Sequence, residues 1–340
     1  MNKKLLITDV SLRDGSHAVA HRIDREQLAA HAAAVDAAGV PIVEVGHGNG
    51  LGASSLQLGE SLLEDVEMLR IVREQLKTSR MSIHVIPGFA TIERDLHQAI
   101  EVGVDVIRVA SHCTEADITE RHITFAREQG KEVYGVLMMS HMASREVLLE
   151  EALKMQAYGA EGVVLMDSAG AYMPDDVREK VPHLVQGLSI PVGFHAHNNL
   201  CLAIGNSLIA AECGAYILDG AIRGFGAGAG NAQLEALVAV LERSGYQTGI
   251  DLYGVLDAGD LAEKSLLAVV PTTSSTSIVS GLSGVFSGFL KPVNRISAEY
   301  GVDPRDVFFE LGRRGVVAGQ EDLILEVAQA LSKEKGGENA

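Results

Sequence analysis

Residues Arg145–Met166 read REVLLEEALKMQAYGAEGVVLM, and their pattern decides the fold. Apolar residues recur at three- and four-residue spacing from Arg145 to Tyr158, the signature of a helix with one buried face. Gly159 follows, where a residue tolerant of positive φ stops such a helix. Gly162–Met166 is then a short apolar run, as expected of a strand buried on both faces. The same unit recurs along the chain. Strands are expected over Leu5–Val10, Ile42–Val45, Ser82–Ile86, Val106–Ala110, Val133–Met138, Gly162–Met166, Pro191–His195 and Tyr216–Ile222. Helix-length segments such as Arg25–Ala38 and Leu62–Leu76 fill the intervals, with Gly39, Gly103, Gly130 and Gly214 as stops. Six or seven such units would fit an open doubly wound sheet equally well; eight point to a closed parallel barrel.

A (β/α)₈ barrel occupies ~250 residues, which leaves about 90 of the 340. Beyond a helix near Leu234–Ser244 the alternation stops. A helix from about Asp251, a small-residue stretch Thr272–Gly288 and helices near Pro292–Tyr300, Pro304–Arg313 and Glu321–Ser332 follow, and the polar tail Lys333–Ala340 is expected to fray. The expected architecture is α/β: a (β/α)₈ TIM barrel over residues 1–249, then a smaller helical C-terminal domain over 250–340.

Composition narrows the partners. Acidic residues outnumber basic ones 45 to 28, aromatics are 4% and Trp is absent, which argues against nucleic acid and anionic membrane. Cys113, Cys201 and Cys213 show no ligand-like clustering and fit a reducing compartment. Lys3 and Lys4 precede any apolar segment, and no run of about 18 apolar residues occurs. A cytoplasmic protein without signal peptide or spanning helix is expected.

In such a barrel the chemistry sits where the strands end. The first strand runs into Arg13, Asp14 and His17, and later ones into His47, His112, His141, Asp167 and Ser168. The seventh leads into His195-Ala196-His197, and residues i and i+2 of a strand share a face. Two imidazoles with a carboxylate make a divalent-metal set, and Asp14 is the expected third ligand beside His195 and His197. Arg13 carries donors suited to a carboxylate or enolate oxygen, or it pairs with Asp14. His17 has the titration range of a general base. For His47, His112 and His141 a hydrogen-bonded, non-catalytic role is the simpler expectation. None of the ten lysines lies at a strand's C-terminal end, which argues against Schiff-base chemistry. The glycine run Gly224–Gly230 is a weak dinucleotide fingerprint. It reads better as a tight loop near the metal, with Asn231 capping the eighth helix.

These motifs form one set. Thr8–His17, Glu44–Gly48, Ser111–Asp117, Leu137–Met142, Asp167–Gly170, His195–Leu200 and Gly226–Asn231 together resemble the 4-hydroxy-2-oxovalerate aldolases, within the superfamily of DRE-TIM metallolyases. Glu310–Arg314 and Gly319–Asp322 extend the resemblance to the C-terminal region. It implies Mn²⁺ (or Mg²⁺ or Co²⁺) held by Asp14, His195 and His197, Arg13 on a pyruvate enolate, His17 as base and Ser168 near the substrate carboxylate. It also implies an oligomer, and an acylating aldehyde dehydrogenase that takes the aldehyde through a tunnel. The expected reaction is reversible retro-aldol cleavage of a 4-hydroxy-2-oxo acid to pyruvate and an aldehyde.

The sequence also departs from that family. Phe286 stands where a tyrosine lining the substrate pocket is usual, and His84 and Ile86 where leucines meet the aldehyde's alkyl end. Asn198 and Pro292 replace histidines, and Ala318 replaces a glycine near the tunnel. A larger or more polar aldehyde than acetaldehyde is expected. The competing readings are a Claisen-type acyl-CoA condensing enzyme or lyase on the same scaffold, and a non-catalytic subunit of a dehydrogenase complex.

Overall fold

The computed structural model describes residues 3–267 and 270–338. Eight parallel strands close on one another in chain order: β1 (Leu6–Leu12), β2 (Ile42–Val45), β3 (Arg80–Val85), β4 (Val106–His112), β5 (Glu132–Met138), β6 (Gly162–Asp167), β7 (Val192–Ala196) and β8 (Ile217–Gly220). The intervening helices are α1 (Arg25–Ala37), α2 (Asp65–Gln75), α3 (His97–Val102), α4 (Glu120–Glu128), α5 (Arg145–Ala157), α6 (Pro174–Gly187), α7 (Ala203–Glu212) and α8 (Leu234–Arg243). All eight expected strands form, with ends shifted by up to two residues. A short parallel ladder of Lys3–Lys4 with Tyr246–Gln247 lies outside the barrel sheet.

Alternation within each strand divides the side chains. One set, including Ile83, Val85, Ile107, Val109 and Val163, packs outward against the helices. The other fills the barrel, with Ile42, Val106, Ala110, Tyr134, Val136, Val164, Met166 and Ile217 packed together. Burying such side chains stabilises by roughly 1.5–3 kcal/mol each. The inward positions Glu44, His84, Arg108, His195 and Asp219 are instead polar, and all are at most 2% exposed. A polar layer inside the barrel is a costly arrangement unless its charges are paired.

After α8 the chain continues in α9 (Leu252–Ser265), α10 (Ser275–Ser283), α11 (Leu290–Tyr300), α12 (Pro304–Arg313) and α13 (Asp322–Glu338). Val255, Ala258 and Ala262 of α9 join the barrel's outer core, whereas Val285, Val293, Phe308 and Ile324 form a separate cluster. Helix α9 thus packs its apolar face against the barrel's outer core. Within the small-residue stretch, α10 forms because Ser274 accepts the Ser277 N–H and donates its own N–H to the Ser277 hydroxyl. The tail expected to fray is helical through Glu338. No described helix is long and apolar enough to cross a membrane.

Candidate active site

At the end of β1 the chain turns into a 3₁₀ helix, Asp14–Val19, which carries Asp14 and His17 over the barrel mouth. Across it stand His195, the penultimate residue of β7, and His197 just beyond that strand. One ligand atom from each of Asp14, His195 and His197 lies within 4.8 Å of the other two. The Nε2 atoms of His195 and His197 are 3.3 Å apart, and His197 Nε2 is 4.0 Å from Asp14 Oδ1.

The surroundings fix the chemistry of these donors. His195 Nδ1 meets Asp219 Oδ2 at 2.9 Å. That carboxylate can only accept, so Nδ1 carries a proton and Nε2 is the ring nitrogen turned toward His197. Burial lowers the pKa of His197 to about 4, with Asp14 opposing the shift, so the ring is neutral near pH 7. Burial pushes the Asp14 carboxyl up, but His197 and Arg13 outweigh it and hold the group well below the usual carboxylate range. Two imidazoles and a carboxylate, each turning one ligand atom toward the others, fit a divalent cation.

Asn231 corrects one expectation. It does not cap α8, whose N-cap is Gln233 without a side-chain bond. Its Nδ2 donates to Asp14 Oδ2 at 2.5 Å, and the Ala227 N–H reaches the same oxygen at 3.3 Å. Glycine is required in this loop: a Cβ on Gly226 would sit 2.2 Å from Asn231 Nδ2 and 2.6 Å from Asp14 Oδ2.

Arg13 pairs with Asp14 Oδ1 through Nη1 at 3.1 Å and with Glu44 Oε1 through Nε at 2.7 Å. Its Nη2 is buried without a partner, a donor held ready beside the three ligand groups. The His17 imidazole makes no hydrogen bond to a described residue and borders a cavity of about 520 Å³, with Ala227, Phe286, Ser287 and Lys291 on its walls. Burial lowers its pKa to about 4, opposed by Asp14, which leaves it neutral. Lys291 of α11 clasps the loop from outside, donating to the His17 and Ala18 carbonyls at 2.7 and 2.9 Å.

A second cavity of about 350 Å³ has Ile86, Ser111, His112, Met138 and Ala318 on its walls. Asn49, Leu58, Phe286 and Glu321 border both cavities. His84 lies lower, 2% exposed, with Nδ1 unpartnered and the charges of Arg13 and Arg108 nearby. The Ser168 hydroxyl accepts the Met139 N–H at 2.9 Å, and its carbonyl accepts the Ser287 N–H at 2.9 Å. His47, His112 and His141 are hydrogen-bonded, to the Gly59 carbonyl, the Thr114 hydroxyl and the Gly284 carbonyl respectively.

Sequence reasoning did not single out Arg108, Asp219 or Lys291, quoted Glu44 only as part of a motif, and gave Asn231 a capping role instead of its contact with Asp14. A signal for Glu44, Arg108 and Asp219 was present: each is a charge at an inward position of an otherwise apolar strand.

A family profile described as HMGL-like matches residues 4–262, and one described as a DmpG-like communication domain matches residues 271–333. The chain is 63% identical over 333 residues to a protein of Pectobacterium atrosepticum named 4-hydroxy-2-oxovalerate aldolase, covering 98% of this chain and 97% of that one. The chain belongs to the HMGL-like family and, within it, to the 4-hydroxy-2-oxovalerate aldolase family. Another member, from Spirochaeta aurantia, is 64% identical over 327 residues, 96% of each chain. The family's fold extends further. The carboxyl transferase domain of Rhizobium etli pyruvate carboxylase superposes with a TM-score of 0.83 at 16% identity, over 98% of this chain and 61% of that one.

Proposed function

We propose that this protein cleaves a 4-hydroxy-2-oxo acid, such as 4-hydroxy-2-oxovalerate, reversibly to pyruvate and an aldehyde. The observation that carries the reading is the convergence of Asp14, His195 and His197 beside the unpartnered Nη2 of Arg13. Asp14, His195 and His197 would hold a divalent cation, for which Mn²⁺ is our choice, with Mg²⁺ and Co²⁺ as alternatives. When bound, such a cation supplies Lewis-acid polarisation of the 2-oxo group.

The chain's own groups carry the remaining steps. His17, neutral and facing the cavity, takes the C4 hydroxyl proton. The C3–C4 bond breaks, its electron pair passes to C3 as pyruvate enolate, and C4 becomes the aldehyde carbonyl. Arg13 donates to the enolate oxygen, where negative charge develops. The proton taken by His17 passes to C3, directly or through water, which gives pyruvate and restores the neutral imidazole. Ser168 lies on the substrate-carboxylate side, acting through the loop that it fixes to Met139 and Ser287.

His84, Ile86 and Phe286 set the aldehyde side, and the exchange of leucine for His84 favours an aldehyde larger or more polar than acetaldehyde. The helical C-terminal domain serves the pocket and communication with an acylating aldehyde dehydrogenase partner, consistent with its match to a communication domain. The test is pyruvate release from racemic 4-hydroxy-2-oxo acids by Asp14→Ala. Loss by a factor of about 10³ or more is expected for removal of a charged ligand, and an undiminished variant overturns the reading.

A further inference from the structure

Arg108 is among the largest fully buried side chains of the protein, 1% exposed inside the barrel. It springs from β4, and β8 lies four strands away in the closed order, on the opposite wall. Its Nη2 donates to Asp219 Oδ2 on β8 at 2.6 Å, and its Nη1 lies 3.1 Å from Glu44 Oε2 on β2. Each carboxylate then reaches a group at the barrel mouth. Glu44 Oε1 accepts from Arg13 Nε at 2.7 Å, and the same Asp219 Oδ2 that meets Arg108 also accepts from His195 Nδ1 at 2.9 Å. Arg13, Glu44, Arg108, Asp219 and His195 thus form one unbroken chain of charge contacts across the barrel, no member more than 3% exposed.

We infer that Arg108 is a positioning residue: it locks His195 toward the cation and Arg13 toward the substrate as a single unit, without touching either ligand. The physical reason is charge and shape. Two buried carboxylates would repel each other and reorient without a cation between them. A planar guanidinium addresses both at once, which a lysine ammonium does with poorer geometry. The orientation of a metal-ligating histidine depends on the acceptor at its other nitrogen, and removing such support typically costs 10–100-fold in metal affinity. At the other end, a misaligned Arg13 loses charge stabilisation that develops only in the transition state, so the loss falls on kcat.

This inference rests on the proposed metal and aldolase reading, and its test separates the two. Full-length apoprotein is titrated with Mn²⁺ and the free ion is read by electron paramagnetic resonance, with no turnover involved. Circular dichroism and Tm verify the fold. Arg108→Lys is expected to bind Mn²⁺ about 10–100-fold more weakly. At saturating Mn²⁺ its kcat for cleavage should remain more than tenfold down, with KM within about threefold of the unaltered protein. Asp219→Asn keeps the side-chain size and removes the charge that Arg108 and His195 share, so it should weaken Mn²⁺ binding in the same direction even if Arg108→Lys does not fold. A folded Arg108→Lys with Mn²⁺ affinity and kcat within twofold of the unaltered protein overturns the inference, as does an unchanged affinity in Asp219→Asn. Failure of the unaltered protein to bind Mn²⁺ takes down the metal reading as well, and is thereby distinguishable.

Discussion

Asn231 donates from Nδ2 to Asp14 Oδ2 at 2.5 Å and to the Phe225 carbonyl at 2.9 Å, tying the glycine loop after β8 to the carboxylate after β1. The contact leaves Asp14 Oδ1 directed toward His197 and Arg13. A hydrogen bond to a charged group in a buried site contributes about 1.5–3 kcal/mol. Asn231→Ala should therefore weaken cation binding by roughly 10–100-fold, and activity should recover in part as the metal concentration is raised. Metal titration of activity checks this; a variant with unchanged metal dependence contradicts it.

Gly48 faces His17 closely. A Cβ at that position would lie 2.4 Å from His17 Nε2, so Gly48→Ala must displace the imidazole. A general base contributes about 10²–10⁴-fold. We expect kcat to fall by roughly 10²-fold while Tm changes little, measured by cleavage assays and thermal unfolding. A normal kcat would show that His17 is not the base.

His84 and Phe286 should govern which aldehyde is accepted. In the condensation direction with pyruvate, His84→Leu is expected to shift preference toward acetaldehyde and other short apolar aldehydes by about 1–2 kcal/mol, roughly tenfold in kcat/KM. Competition between acetaldehyde and a larger polar aldehyde measures the shift. A strong preference for acetaldehyde in the unaltered protein contradicts the assignment.

Asp36 offers a pH test remote from the chemistry. Burial raises its pKa, but the N–H groups of Ser79, Thr78 and Lys77 outweigh that and lower it from 3.8 to about 2. Because the folded-state value lies below the unfolded one, the stabilisation is complete above about pH 4 and is lost as pH falls toward 2. Asp36→Asn should be less stable than the unaltered protein by about 1 kcal/mol at pH 6, with the difference closing by pH 2. Urea unfolding at both pH values gives the comparison, and a constant difference counts against it.

The barrel was legible because each strand–helix unit is a local pattern: short apolar runs such as Ile42–Val45 need no tertiary information to be seen. The spacing of His195 and His197 was legible for the same reason, since strand geometry alone puts i and i+2 on one face. Contacts between distant parts of the chain were not. Asn231 stands before α8 as a cap would, and only closure of the barrel brings it to Asp14, 217 residues away. The charge chain through Arg108 joins strands on opposite walls, a proximity that no local pattern encodes. Helix α9 begins where the alternation has ended, and only the folded chain packs its apolar face against the barrel's outer core. Helix α10 was hidden by small residues, with only the Ser274–Ser277 cap marking its start.

The most direct measurement is pyruvate release from racemic 4-hydroxy-2-oxovalerate by chelator-stripped protein, before and after one equivalent of Mn²⁺. Asp14, His195 and His197 predict almost no pyruvate from the stripped protein and recovery of activity on adding the ion. Full activity in the stripped protein, or none after Mn²⁺ is restored, would contradict the account.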